Sequence, residues 1–245
     1  MRTLLVVLFI VLFLLVGYPV LGVEWLIARR HPEHADTTRL HLVQWAFRCI
    51  TVLSGVKLTV KGQEKIPKDR SVLYIANHRS FFDIVVTYPL FPDLTGFIAK
   101  DILRKIPAFG LWMKRVHCLF LDRKDLKRGL KTILDAIEKV KNGISIVIFP
   151  EGTRNRQADP TSLLPFRDGS FKIAQKAGCP IVPIAIIGTE KAFENHIPWI
   201  RSTEVTVVFG DPIDINELPP ENRKKIGAYC QNILSDMLKE NIQVK

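Results

Sequence analysis

The amino-acid sequence predicts an α/β fold: a mixed, largely parallel sheet flanked by helices, with an N-terminal membrane-associated helical segment. Three observations lead there. From Val56 onward, short β-prone runs alternate with stretches of helical period, the pattern of strands joined by helices. Two of those runs, Val72 to Ala76 and Ile144 to Phe149, are apolar with almost no alternation, as in strands covered on both faces. Leu4 to Ile27 is almost wholly apolar, with Arg2 before it and Arg29-Arg30 after it. The chain is thus expected to carry an anchor with an interfacial helix over 1–55 and an α/β domain over 56–245.

As a helix, Leu4 to Ile27 would be about 36 Å long, enough for a hydrocarbon core of about 30 Å. The clean run stops at Val16, and Gly17, Pro19, Gly22 and Glu24 interrupt the remainder. Three arrangements compete: a spanning helix, a helix that bends back at Gly17-Tyr-Pro19, and a cleaved signal with Val20-Leu-Gly22 as its site. A retained anchor, spanning or re-entrant, is the expectation. The polar stretch His31-Pro-Glu-His-Ala-Asp36 matches no metal-ligand spacing, and no metal is expected there. Arg39 to Val56 is helix-like with apolar groups on more than one face. Its Trp45 and Arg48 suit a lipid interface, and a core-packing helix fits the same periodicity.

Within the domain, Val56 to Gly62 alternates as a half-exposed strand, and Ser71 to Ala76 is a buried one. Phe81 to Leu90 is helix or turn, and Gly96 to Ala99 a short strand. Lys100 to Leu111 predicts a helix broken at Pro107, and Val116 to Leu121 a strand. Leu126 to Asn142 is an amphipathic helix with Leu130, Ile133-Leu134, Ile137 and Val140 on one face and Gly143 as its stop. Ile144 to Phe149 is a central strand, Phe171 to Ala177 a helix, and Ile181 to Ile187 and Glu204 to Gly210 strands. After Pro219-Pro220 a last helix turns Ile226, Tyr229, Ile233, Met237 and Leu238 inward.

A chain of 245 residues with a formal net charge of +11 and 47% hydrophobic residues can bury a full core and still touch a membrane. The charge points to polyanionic partners: anionic lipid, phosphorylated metabolites or nucleic acid. No zinc-finger spacing, RNP motif or basic stripe with interleaved aromatics occurs, so nucleic acid is not expected as a partner. Cys49, Cys118, Cys179 and Cys230 are scattered, with no CxxC, as in a reduced compartment.

Chemistry concentrates in three places. His78 and Asp83 come after the buried strand at Asn77-His-Arg-Ser-Phe-Phe-Asp83. On one straight helix they would point about 140° apart. They meet only if His78 sits at the strand-to-helix turn and Asp83 in the first helical turn. A histidine with a carboxylate behind it is a general base. The same spacing fits a capping box, with Ser80 as N-cap and Asp83 serving a backbone N–H. The second place is Phe149-Pro-Glu-Gly-Thr-Arg154, after a buried strand. There glycine lets backbone approach a ligand and arginine grips phosphate; a plain turn with solvated charges also fits. The third is Val116-His-Cys-Leu-Phe-Leu-Asp-Arg123, within a run from Lys100 to Lys131 of ten basic and three acidic residues. Such a run is a solvated face or one turned to membrane or phosphate.

Taken together, these stretches resemble the glycerolipid acyltransferases with the HX4D motif, specifically the 1-acylglycerol-3-phosphate acyltransferase (lysophosphatidate acyltransferase) branch. Asn77 to Asp83 is similar to the first motif, Phe120-Leu-Asp-Arg123 to the second, Phe149 to Arg154 to the third and Val182-Pro-Ile-Ala185 to the fourth. The resemblance covers about Val56 to Asp211. Two positions depart from it: His117 stands where the second motif often has glycine, and Arg167 where lysine often precedes the later glycine. The resemblance implies acyl transfer from acyl-CoA or acyl-carrier protein to the free hydroxyl of lysophosphatidic acid, giving phosphatidic acid; the alternatives are another lysolipid as acceptor, such as a lysophospholipid or lyso-ornithine lipid, and a membrane lipid-binding protein without turnover. His78 is then the base and Asp83 its orienting carboxylate. Arg123, Glu151 and Arg154 would hold the glycerol phosphate, with Gly152 and Thr153 shaping the turn. It implies no metal or redox cofactor, the lipid bilayer as partner, and a membrane location with the catalytic domain facing the cytoplasm.

Overall fold

The computed structural model describes residues 1–30 and 32–242; His31, the first residue of the polar stretch that ends at Asp36, lies outside them. Two long helices come first, α1 (Arg2–Ala28) and α2 (Pro32–Ser54). The strands are β1 (Lys57–Lys61), β2 (Leu73–Ala76), β3 (Thr95–Lys100), β4 (Leu119–Leu121), β5 (Ser145–Ile148), β6 (Ile181–Ile187) and β7 (Glu204–Phe209). The remaining helices are α3 (Phe82–Thr87), α4 (Phe109–Arg115), α5 (Leu126–Lys141), α6 (Lys172–Ala177), α7 (Pro220–Lys224) and α8 (Ile226–Ile242).

The strands form one sheet in the order β1-β7-β6-β2-β5-β3-β4. Neighbours are parallel throughout except β6 and β7. From β2 the chain moves to one side for β3 and β4, returns for β5, then crosses to the other side for β6. The strand order therefore reverses at β2, and open α/β sheets hold ligands outside the carboxyl ends at such a point. Each residue of β2 is at most 1% exposed. Tyr74 and Ala76 face a core shared with α1, α2 and α3, while Leu73 and Ile75 face a second core with α5, α6 and α8. The period-2 alternation survives in which core a residue enters, although both faces are apolar.

The helix α1 does not break at Gly17-Tyr-Pro19; Pro19 lies inside it. Pro19 has no N–H to give to the ladder, and the helix nonetheless continues through it to Ala28. Gly17 has a packing role instead: a Cβ there would lie 2.8 Å from the indole of Trp112. The Phe13 ring is 5.3 Å from the same indole, and Val6 and Leu21 are buried. On α2 the two readings belong to different faces. Leu40, Val43, Ala46 and Ile50 are buried while Trp45 is exposed, and Gln44 donates to the Phe91 carbonyl at 2.9 Å.

Four expectations shift. Lys100 to Leu111 is not one broken helix: a 3-10 turn spans Asp101–Lys105, and α4 begins only after Pro107 and runs on to Arg115. Val116 to Cys118 follow α4 as a turn, so β4 starts at Leu119 rather than Val116. On α5, Ile137 and Val140 are buried but Leu130 and Leu134 are exposed. On α8 the buried stripe is Ile226, Cys230, Leu234 and Leu238, at i, i+4 spacing; Tyr229, Ile233 and Met237 are only partly covered. Periodicity identifies residues that share a face, and the neighbouring layer decides how much of that face it covers.

The shortened β4 explains one departure from the family pattern. His117 sits in the turn before it with φ 62°, the left-handed region that glycine enters without penalty. Its ring bridges two helices, with Nε2 3.3 Å from Asp36 of α2 and Nδ1 3.3 Å from Lys139 Nζ of α5. Burial lowers the His117 pKa; Asp36 opposes this, and Lys139 and Arg39 add to it. Above the unfolded value of about 6.5 this imidazole costs nothing. As pH falls from there toward the folded value, the unfolded chain binds more protons and stability declines. We expect Tm to drop as pH falls below about 6.5, and His117→Gly to remove part of that slope. It should also relieve about 1 kcal/mol of backbone strain. Thermal unfolding against pH checks this, and identical slopes in both proteins would rule it out.

Candidate active site

His78 leaves β2 two residues past its end, on backbone held from both sides. Its N–H donates to Glu151 Oε1 at 2.8 Å, and its carbonyl accepts from Asn155 N at 2.7 Å. One residue earlier, Asn77 exchanges two 2.8 Å bonds with the Ile186 backbone of β6. The carboxyl ends of β6, β2 and β5 are thereby tied together around the histidine.

Asp83 lies at the start of α3, fully buried. Its Oδ2 meets His78 Nδ1 at 2.8 Å and also accepts from Arg79 N at 2.8 Å and Ser80 N at 2.9 Å. Oδ1 accepts from the Thr189 hydroxyl. Ser80 Oγ takes the Phe82 N–H at 2.9 Å. Cap and pair are thus not alternatives, because one carboxylate oxygen serves both. With Nδ1 engaged, Nε2 is the ring atom left for a substrate. The ring stacks on Phe149 with centroids 4.1 Å apart and planes 18° apart, which fixes its second torsion.

Glu151 is 3% exposed and both its oxygens serve backbone, Oε2 accepting from Leu164 N at 2.8 Å. Burial raises its carboxyl above the usual range, and the Leu164 and His78 amides pull it back. Gly152 turns the chain at φ 76°. Arg167 Nε lies 2.7 Å from where a Cβ of Gly152 would stand, so no side chain fits there without displacing that guanidinium. Thr153 is exposed.

Arg154 stands 4.0 Å above the Phe81 ring and 2.9 Å from Glu194. Glu194 also accepts from Phe81 N at 2.9 Å. Arg123 lies in the segment leaving β4, near Arg167. Partial burial and then the neighbouring Arg167 charge lower its pKa. A cavity of about 440 Å³ opens beside the pair, lined by Arg79, Arg154, Arg156, Lys191, Glu194 and Ile197 among others. Neither His78 nor Asp83 is among its lining residues; its arginines and lysine can take an anion.

The structure brings His78, Asp83, Glu151, Gly152 and Arg154 around one strand end and sets Arg123 at its margin with Arg167. Asn77, Asn155, Thr189 and Glu194 escaped the sequence reading. Asn77 is within the first motif, and an amide at a strand end was a signal for it. The other three lie in long loops with no spacing that ties them to His78.

Residues 57–187 match the Acyltransferase family. A 1-acyl-sn-glycerol-3-phosphate acyltransferase of Haemophilus influenzae is 30% identical over 186 residues, covering 74% of this chain and 75% of that protein. The Escherichia coli protein of the same name is 29% identical over 216 residues, covering 88% and 84%. Among solved structures, the 1-acyl-sn-glycerophosphate (LPA) acyltransferase PlsC from Thermotoga maritima superposes with a TM-score of 0.85 at 27% identity, over 100% of this chain and 95% of that one.

Proposed function

The chain belongs to the acyltransferase family, and from that membership we propose the reaction, the residues that carry it and the surface on which it runs. The chain acylates 1-acyl-sn-glycerol 3-phosphate, and the product is phosphatidic acid. The donor is a thioester of coenzyme A or acyl-carrier protein. The observation that carries the residue assignment is the 2.8 Å contact between His78 and a four-donor Asp83 beside a basic cavity.

His78 Nε2 takes the proton of the acceptor hydroxyl as the oxygen attacks the thioester carbonyl. The C–O bond forms, the C–S bond breaks, and the proton passes from the imidazolium to the departing thiolate. Asp83 keeps the proton-bearing Nδ1 toward itself and stabilises the charged ring. Arg154 and Arg123 hold the phosphate, with Gly152 and Thr153 shaping the turn between them. Glu151 acts through the backbone of His78. The scheme uses no metal or redox cofactor.

The acceptor and product are membrane lipids, and α1 is the supporting feature. Its segment Arg2–Val23 is long and apolar enough to cross a bilayer, yet it is held against the domain from Thr3 to Leu21. That fits a helix sunk in one leaflet with the domain beside it. The four cysteines are unpaired, which suits a catalytic domain facing the cytoplasm.

The test is thiol release from an acyl-CoA with a panel of lysolipids as acceptors. Lysophosphatidate should react fastest, and a lysolipid without a terminal phosphate reacting equally well would refute the acceptor. Arg154→Ala should raise the acceptor KM about tenfold with donor saturation unchanged. A change confined to the donor would move Arg154 away from the acceptor phosphate.

A further inference from the structure

After β6 the chain makes 3-10 turns at Thr189–Lys191 and Glu194–His196 and then passes through Ile197-Pro-Trp-Ile200 before β7. His196 N bonds to the Phe193 carbonyl and Arg201 N to the Ala192 carbonyl, both at 2.9 Å, closing the loop on itself. Phe193 and Ile200 pack into the core behind a fully buried Ala192. Ile197 and Trp199 point the other way, 62% and 61% exposed. The reaction scheme uses neither side chain in the chemistry. Two large apolar groups on a loop tied this firmly are presented outward by the fold.

Three contacts say what they face. Ile200 N donates to Thr3 Oγ1 at 2.8 Å, placing the loop against the first turn of α1. That turn exposes Leu4, Leu5 and Leu8 at 71%, 42% and 52%. Glu194 joins the other end of the loop to Phe81 and Arg154, and Ile197 lines the rim of the basic cavity. Arg156 and Lys191 of the cavity lining, and Arg201 at the end of the loop, are exposed. An apolar surface thus continues from α1 through the loop to the active-site mouth, edged by cations. An indole with an apolar body and a polar N–H suits the boundary between headgroups and acyl chains, and the charges suit anionic headgroups.

We propose that the loop Ile197 to Ile200 is a second membrane-inserting element, which seats the cavity mouth in the headgroup layer of an anionic bilayer. The acceptor then reaches His78 by lateral motion, its phosphate passing over Ile197 toward the arginines while its acyl chain stays in the lipid. This rests on the acceptor being a bilayer lipid.

The experiment uses the full chain in vesicles of phosphatidylglycerol and phosphatidylcholine brominated near the headgroup. The emission lost in Trp199→Phe is the Trp199 signal, and we expect bromines to quench at least half of it. No quenching overturns the proposal, including the case in which the loop instead binds a protein. Activity gives an independent reading. Trp199→Ser should lower kcat/KM about tenfold for long-chain lysophosphatidate in vesicles and leave a monomeric short-chain lysophosphatidate unaffected. Equal losses on both substrates, or no loss on either, overturn it. If the acceptor assignment is what fails, the wild type turns over neither substrate while quenching still reports insertion.

Discussion

Replacing His78 by alanine is expected to lower kcat by about 10²- to 10⁴-fold, the range for loss of a general base, with the fold and lysophosphatidate binding retained. The fold persists because Asp83 keeps three donors when the imidazole goes: Arg79 N, Ser80 N and the Thr189 hydroxyl. The backbone of residue 78 remains held by Glu151 and Asn155, neither of which touches the ring. What disappears is the atom proposed to accept the hydroxyl proton and the planar contact with Phe149. Single-turnover thiol release measures the rate, and circular dichroism confirms the fold. Near-normal turnover in a folded His78→Ala protein would remove His78 as the base.

Glu151→Gln is expected to act on both stability and rate. The carboxylate accepts one backbone N–H on each oxygen, from His78 and from Leu164. An amide offers one acceptor and turns an N–H toward the other donor. A buried donor left unmatched costs about 1–3 kcal/mol, which lowers Tm by roughly 3–10 °C in a chain of this size. The released strand end lets His78 drift, and misplacement of about 1 Å costs about 10²-fold in rate. The acceptor KM should change little. A residue that bound the acceptor phosphate directly would do the opposite, raising KM at constant Tm, so the pair of measurements separates the two roles.

Much of the fold and the site was legible in the residues. The apolar runs at Val72 to Ala76 and Ile144 to Phe149 announced strands buried on both faces, and they are β2 and β5. The spacing of His78 and Asp83 demanded a strand-to-helix turn, which is where they lie. Helix cap and catalytic pair do not exclude each other, because a carboxylate oxygen accepts from several donors at once. Sequence distance hid the rest. Thr189 and Glu194 come from beyond β6, 106 and 113 residues from the groups they bond, and no local period connects them. The start of β4 is hidden because Val116 and Cys118 are as apolar as the strand that follows, yet they lie outside it, on either side of His117 with its positive φ.

The double backbone clamp on His78 has a consequence for how the barrier is divided. The residue is fixed at its N–H, its carbonyl and its ring face, so its orientation is settled when the chain folds and does not await the substrate. The entropy still to be lost on the way to the transition state belongs to the lipid and the thioester. A lipid confined to a sheet of its own kind has already surrendered one translational dimension and much of its tumbling. In the proposed reaction the histidine is kept still by three parallel strands and its partner by the membrane, so the encounter between them would be a search in a plane.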